Sequence, residues 1–277
     1  MLTREDIIGQ SNLLDRIDDL IANDNFPHFT IIVGNAKSGK KLIANYISDR
    51  LGCTFVPCSN KIDDIREIIV SSYSVIEPMC YVWNNVDDMS VGAKNALLKV
   101  TEEPPNNAYY IMTLRTTENM LPTILSRGTT LHIQPYTNQQ LKQYCDKRKL
   151  TSDNMNIVLN MCSVPGEIDI LNKYNIDEFI SFTNKVLDFI GQASIANVLK
   201  LSNSFALKKD ETDKYDIKLF LNCVMTLCME RYNNTNDIRY NRLCIDTCNV
   251  LSEFRTASVN KLSVLDKWLL CANNLFK

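Results

Sequence analysis

The run Gly34-Asn35-Ala36-Lys37-Ser38-Gly39-Lys40-Lys41 stands directly after the apolar stretch Phe29 to Val33 and opens a helical pattern from Leu42 to Leu51. In G-x-x-x-x-G-K spacing, backbone N–H groups at a helix N-terminus wrap a β-phosphate, and the lysine, here Lys40, reaches the β and γ oxygens. The next position ordinarily supplies a Ser or Thr hydroxyl to Mg²⁺. Lys41 supplies a cation and no metal-binding oxygen. The chemistry expected of Gly34, Gly39, Lys40 and Lys41 is therefore docking of ATP or ADP phosphates without tightly held magnesium; a strand-to-helix turn holding no ligand is the alternative. A second segment, Val82-Trp83-Asn84-Asn85-Val86-Asp87-Asp88, bears on hydrolysis. Metal-dependent hydrolysis needs an acid at the end of this strand for Mg²⁺ and, in many cases, an adjacent Glu to polarise water. The amides of Asn84 and Asn85 can do neither. Asp87 and Asp88 are expected to face the following turn and cap the helix that Ser90 opens. Intrinsic ATP hydrolysis is not expected.

Such a loop needs a strand and a helix to hold it, and the first half of the chain provides both. Phe29 to Val33, Cys80 to Trp83, Tyr109 to Thr113 and Thr130 to Ile133 are short apolar runs bounded by polar or turn-forming residues, with helical patterns between them. Buried strands alternating with helices predict a parallel sheet covered on both faces, with ligands at its carboxyl edge. From about Thr137 the pattern is helical: Asn138 to Lys149, Ser152 to Cys162, Ile176 to Gln192 and most of Lys214 to Asn274, with breaks at Pro165-Gly166 and in the polar stretch Lys208 to Lys214. With 45% hydrophobic residues the 277-residue chain has the material for two or three compact units. A net charge of −2 excludes a protein that coats phosphate backbones unaided. The ten cysteines contain no CxxC and there are two histidines, so a metal framework is not expected; Cys223, Cys228, Cys244 and Cys248 are expected to pack in helical cores, which suits a reducing compartment. The opening MLTREDIIGQ has no charged segment followed by an apolar core, and no stretch of about 18 apolar residues occurs, so neither secretion nor membrane insertion is expected.

Eleven residues, Asn95-Ala96-Leu97-Leu98-Lys99-Val100-Thr101-Glu102-Glu103-Pro104-Pro105, resemble the NALLK-x-x-EEPP signature of bacterial clamp-loader subunits, the gamma/tau and delta-prime proteins of DNA polymerase III. Leu121-Pro122-Thr123-Ile124-Leu125-Ser126-Arg127-Gly128 is similar to their LLPTIxSRC segment, with Gly128 where the cysteine usually stands. Ile7-Ile8-Gly9-Gln10 resembles the IIGQ box at the adenine pocket, Phe26-Pro27-His28 the LPHA approach to the first strand, and Ser258-Val259-Asn260 an NxN element that begins a late collar helix. These motifs span nearly the whole chain and are densest between residues 80 and 135.

The resemblance implies an AAA+ α/β P-loop domain over 1–136, a small helical lid over 137–175, and an all-helical collar over 176–277 that packs against other subunits through helices bearing Trp268, Leu269 and Phe276. It also implies that Arg127, which alone would read as a surface or capping arginine, is an arginine finger for a neighbouring subunit's ATP site. The helix carrying Lys94 and Lys99 corresponds to one lining the chamber for primer–template DNA, so both could approach phosphates, although Val91 replaces the basic residue usual after the capping serine. The four-cysteine zinc module of the family is absent: Cys53 and Cys58 are the only cysteines between the loop helix and Cys80. The second sensor arginine is missing as well, since Val164-Pro165-Gly166-Glu167-Ile168-Asp169 carries two carboxylates there. The expected protein is a divergent delta-prime-like stator, of an economy that suggests a phage-encoded version. Its expected setting is a hetero-oligomeric, pentameric loader acting on a sliding clamp and primer–template DNA, in the cytoplasm of a bacterium or a phage's host. Three alternatives stay open: an ATPase using Asp87 or Asp88, a subunit that binds nucleotide without cleaving it, and an AAA+ factor of another kind, such as a helicase loader or branch-migration protein.

Overall fold

A five-stranded parallel sheet organises the first part of the molecule in a computed structural model, which describes residues 2–205, 214–254 and 260–277. The chain divides into two compact units, Met1–Gln143 and Tyr144–Lys277.

The first unit runs α1 (Ser11–Ala22), β1 (Phe29–Val33), α2 (Lys40–Arg50), β2 (Thr54–Cys58), α3 (Ile62–Ser72), β3 (Met79–Trp83), α4 (Val91–Glu102), β4 (Ala108–Leu114), α5 (Pro122–Leu125), β5 (Thr129–His132) and the start of α6 (Asn138–Lys147). The sheet order is β2-β3-β4-β1-β5. All five residues of β1 are buried, as a strand covered on both faces requires. Phe29 and Ile31 join Trp83, Tyr110 and Leu97 on one side, while Ile32 joins Ile17, Ile43, Ile47 and Val82 on the other. Four of the strands coincide with the runs read from sequence; β2 was not foreseen. It is an edge strand, three of its five residues are half-buried and two exposed, and Pro57 lacks the N–H that an interior strand would need. Register places the site: Val33 pairs with Leu114 and Trp83 with Met112, so Gly34, Asn84 and Arg115 all leave the same carboxyl edge of β1, β3 and β4.

The second unit is helical, with α7 (Met155–Met161), α8 (Pro165–Lys173), α9 (Ile176–Ile190), α10 (Ile195–Lys200), α11 (Ile217–Thr235), α12 (Ile238–Glu253) and α13 (Lys261–Phe276). Its core gathers Phe179, Phe205, Phe220 and Trp268, and Trp268 Nε1 donates to Thr247 Oγ1 at 2.9 Å. Pro165-Gly166, read above as a break between helices, instead opens α8, because a proline in the first turn forfeits an N–H that has no helical partner anyway. The polar stretch Lys208 to Lys214 lies outside the described residues except for Lys214, as do Ser258 and Val259 of the NxN element; Asn260 is described and caps α13, accepting from the Leu262 and Ser263 N–H groups. Cys223, Cys228 and Cys244 are buried as expected. Cys248 is not: it is exposed, with Sγ 3.3 Å from Met225 Sδ. Among the described residues no group of three or more His, Cys, Asp and Glu side chains could hold a metal ion, and no helix is long and apolar enough to cross a membrane.

Candidate functional site

The loop between β1 and α2 has the backbone of an anion cradle. Lys37 and Gly39 both lie in the left-handed region, with φ of 64° and 90°, so successive N–H groups turn inward to form a nest, and the leading N–H groups of α2 add to it. For Lys37 this conformation costs about 1 kcal/mol, a strain of the kind that clusters at ligand sites. Gly34 is required by space: a Cβ there would lie 2.9 Å from both Ser38 Oγ and Ile133 Cβ. Ser38 is 2% exposed and its Oγ has no hydrogen-bond partner among the described residues. Lys40 is buried, its Nζ donating to Gly34 O and Asn35 O at 2.7 Å each. Desolvation lowers its pKa to about 8; Asp87 opposes that shift and Arg115 reinforces it. The hydroxyl of Tyr136 closes the loop from outside by donating to Ser38 O at 2.9 Å.

Beside this cradle the structure forms an ion-pair cluster that sequence reading missed. Gly34 N donates to Leu114 O at 3.1 Å, which sets the loop against the end of β4 and hence against Arg115. Arg115 donates through Nε to Asp87 Oδ2 at 3.0 Å and through its backbone N to Asp87 Oδ1 at 3.3 Å, while Nη2 pairs with Asp88. Asp87 and Asp88 therefore do not cap α4, as expected from their position. Their side chains turn toward Arg115, and Ser90 alone caps the helix, its Oγ accepting from Ala93 N at 3.2 Å. The Asp87 side chain is 1% exposed, so its charge demands a partner, and Arg115 meets that demand. A magnesium ion does not fit these residues. Lys41 brings a cation where a hydroxyl is needed, the Asn84 amide lies 3.4 Å from Thr113 Oγ1, Asn85 is anchored through its N–H to the same Oγ1, and Asp87 is engaged by Arg115.

The two lysines of α4 separate. Lys94 is 6% exposed, and Nζ donates to Asp87 O at 3.0 Å and Asn119 O at 2.7 Å. Expected near DNA phosphates, it instead ties α4 to the turn after β3 and the loop after β4, because the buried face of α4 is Ala93, Lys94, Leu97, Val100 and Thr101, while Val91 is exposed. Lys99 does reach solvent, with Nζ 5.8 Å from the Tyr73 ring centroid. Arg127 follows α5 and is exposed; Nη1 donates to Thr123 O at 2.8 Å and Nη2 lies 3.0 Å from Glu102 Oε1. Gly128 is fixed by packing, since a Cβ would fall 2.7 Å from both Phe29 Cε1 and Ile31 Cδ1. Of the remaining motifs, Gln10 is buried and braces the exit of β5, donating to Gln134 O at 3.0 Å and accepting from Gln134 N at 2.9 Å. His28 stacks on Tyr109 with centroids 4.8 Å apart.

Residues 57–137 match the family described as DNA polymerase III, delta subunit. DNA polymerase III subunit tau of Bacillus subtilis is 22% identical over 219 residues, which cover 66% of this chain and 38% of that protein. DNA polymerase III subunit gamma of Buchnera aphidicola subsp. Acyrthosiphon pisum is 25% identical over 264 residues, 81% of this chain and 72% of that one. The chain is thus similar to the gamma, tau and delta-prime subunits of DNA polymerase III. The fold agrees: a gamma-subunit-related protein from Thermotoga maritima superimposes with a TM-score of 0.52 over 96% of this chain and 100% of that one, at 14% identity. The chain shares with that structure the arrangement of a parallel P-loop sheet followed by a helical region. Within it, the segment from Asn95 to Pro105 forms α4 and its exit, and the segment from Leu121 to Gly128 forms α5 and the turn that presents Arg127. Two of its site residues could have been suspected earlier. Arg115 follows a strand end that must adjoin the loop in any sheet placing β4 beside β1, and Glu102 lies in the motif that packs against the Arg127 segment.

Proposed function

We propose that the chain is the non-hydrolysing, delta-prime-like stator of a sliding-clamp loader, and that it donates Arg127 to the ATP site of a neighbouring subunit. The observation that carries this reading is a contrast within one unit. The chain's own phosphate loop lacks every metal ligand that hydrolysis needs, while Arg127 stands exposed on a separate turn, held by a carboxylate and a carbonyl. A guanidinium offered in this way can leave Glu102 at small cost, since an exposed ion pair is worth about 1 kcal/mol or less, and stabilise charge on a transferring γ-phosphate. Burial of Asp87 against Arg115 weighs against the reading in which Asp87 serves as metal ligand or base. The chain's own cradle takes the phosphates of ADP or ATP without tightly held magnesium, with Lys40, Lys41 and the N–H groups around Gly34 and Gly39 as its contacts. Partner subunits in a pentameric hetero-oligomer, a sliding clamp and primer–template DNA complete the setting, with a cytoplasmic location and a divergent, phage-type origin as parts of the same proposal. Within the chain, a lid over 137–175 and a collar over 176–277 divide the helical half, and the exposed Lys99 is the α4 residue proposed to meet DNA.

The test is ATPase activity of the chain alone and mixed with gamma-type partner subunits, clamp and primed DNA. The chain alone should be silent, and Arg127→Ala should lower the DNA-stimulated rate of the complex by about 10³-fold, the order seen for arginine fingers. Turnover by the chain alone, or an unchanged rate with Arg127→Ala, refutes the proposal.

A further inference from the structure

The mismatch between a competent phosphate cradle and an unfit metal seat leaves a question of charge. A nucleoside diphosphate brings about three negative charges into a partly desolvated site, and a divalent cation normally offsets much of that. Around the loop this chain supplies Lys40 and Lys41 and, next to them, Arg115. Arg115 is placed by the backbone: it follows the β4 residue whose carbonyl accepts from Gly34 N, on the edge shared by Asn84 and Asn85. Its guanidinium is bound on one side by Asp87 and Asp88, and as a half-exposed group it keeps donors available beyond them. The unpartnered, buried Ser38 hydroxyl inside the loop is an independent sign that the cradle is built around a missing hydrogen-bonding group.

We propose that Arg115 is the fixed cation of this site, taking the place of magnesium opposite the phosphates of a bound nucleoside di- or triphosphate, with Asp87 as the internal counterion that phosphate partly displaces. The inference rests on the reading of the loop as a phosphate cradle and adds who balances its charge. Arginine suits the task because its planar fork can retain one carboxylate bond while another N–H meets a phosphate oxygen. Asp87 repels the incoming phosphate and competes for the guanidinium, so neutralising it and removing Arg115 should act in opposite directions.

The experiment is titration of the full chain with a fluorescent ADP analogue, in EDTA and in excess Mg²⁺, for wild type, Asp87→Asn, Arg115→Met and the double variant, with thermal unfolding of each. Wild type should bind equally in the two media, within about twofold. Arg115→Met should weaken binding by about tenfold, the order of one charge-assisted hydrogen bond; Asp87→Asn should tighten it severalfold, and the double variant should follow Arg115→Met. The double variant leaves no buried Asp87 carboxylate without its Arg115 partner, so its binding can be read if the single Arg115 variant unfolds. Tightening of the wild type by tenfold or more with Mg²⁺, or binding by Arg115→Met equal to or tighter than wild type, overturns the inference and identifies the ion pair as structural or obstructive. No binding by wild type also overturns it, while leaving the Arg127 proposal to its own ATPase test.

Discussion

Replacing Lys94 with methionine should destabilise the sheet-bearing unit by about 2–3 kcal/mol. The side chain is buried, 6% exposed, and its ammonium bridges Asp87 O at 3.0 Å and Asn119 O at 2.7 Å. Hydrogen bonds to a charged group contribute about 1.5–3 kcal/mol each, and a buried carbonyl stripped of its donor costs about 1–3 kcal/mol. Methionine keeps most of the apolar stem, and removal of a desolvated charge returns part of that sum, which leaves the net figure above. At about 3 °C per kcal/mol for a unit of this size, the midpoint should fall by about 6–9 °C. Circular dichroism on heating measures it, with Lys99→Ala as the comparison. Lys99 is exposed and its only described contact of this kind is a 5.8 Å approach to the Tyr73 ring, so its loss should cost less than about 1 kcal/mol. A Lys94→Met protein that melts with wild type would refute the reasoning; if it also lost affinity for primed DNA within the complex, the ammonium would have to face phosphate rather than the two carbonyls.

Lys40 faces the Asp87 carboxylate and the Arg115 guanidinium, and its pKa of about 8 lies below its ordinary 10.5. Nucleotide binding that uses its ammonium should be flat below about pH 7 and weaken by up to about tenfold per unit above pH 8, measured by the same fluorescent titration; affinity unchanged to pH 10 would remove Lys40 from the phosphate. In the nucleotide-free protein the sign is opposite, because the unfolded chain binds more protons between pH 8 and 10.5, so stability should rise with pH across that window. Gly128→Ala should cost about 1–3 kcal/mol in urea unfolding, since the new Cβ would lie 2.7 Å from Phe29 Cε1 and Ile31 Cδ1; unchanged stability would mean that this core yields freely.

The strands were legible where burial is complete. Phe29 to Val33 is apolar throughout because both faces of β1 are covered, and its bounds are those read from sequence. Thr54 to Cys58 escaped notice because an edge strand, half in solvent and tolerant of Pro57, carries neither an apolar run nor a strict alternation. The phosphate loop, a local motif, was readable; the cluster beside it was not. Lys94, Asp87 and Arg115 each have a polar character that sequence reading assigns to solvent or to caps. They converge only because β3 and β4 pair and α4 packs behind them, and long-range pairing of charged residues leaves no periodic signal in one sequence. Arg127 was legible through its motif alone, whereas its retaining contact with Glu102 required the fold.

The substitutions around the loop are better understood as one electrostatic arrangement than as separate losses. A bare guanidinium within about 6 Å of a divalent ion would cost about 5 kcal/mol at an effective dielectric near 20, so Arg115 at the end of β4 weighs against such an ion in the cradle. Once the ion is absent, acids in place of Asn84 and Asn85 would be uncompensated carboxylates beside phosphate, and amides are the stable choice. Lys41 then faces no competing metal, and Asp87, buried at the same edge, pairs with the Arg115 guanidinium. Each feature makes the next tolerable. On the proposed reading the charge of the whole edge disfavours hydrolysis, and a cradle of this kind can still hold a phosphate as a structural element while Arg127 stands on a different turn, beside Glu102 and Thr123.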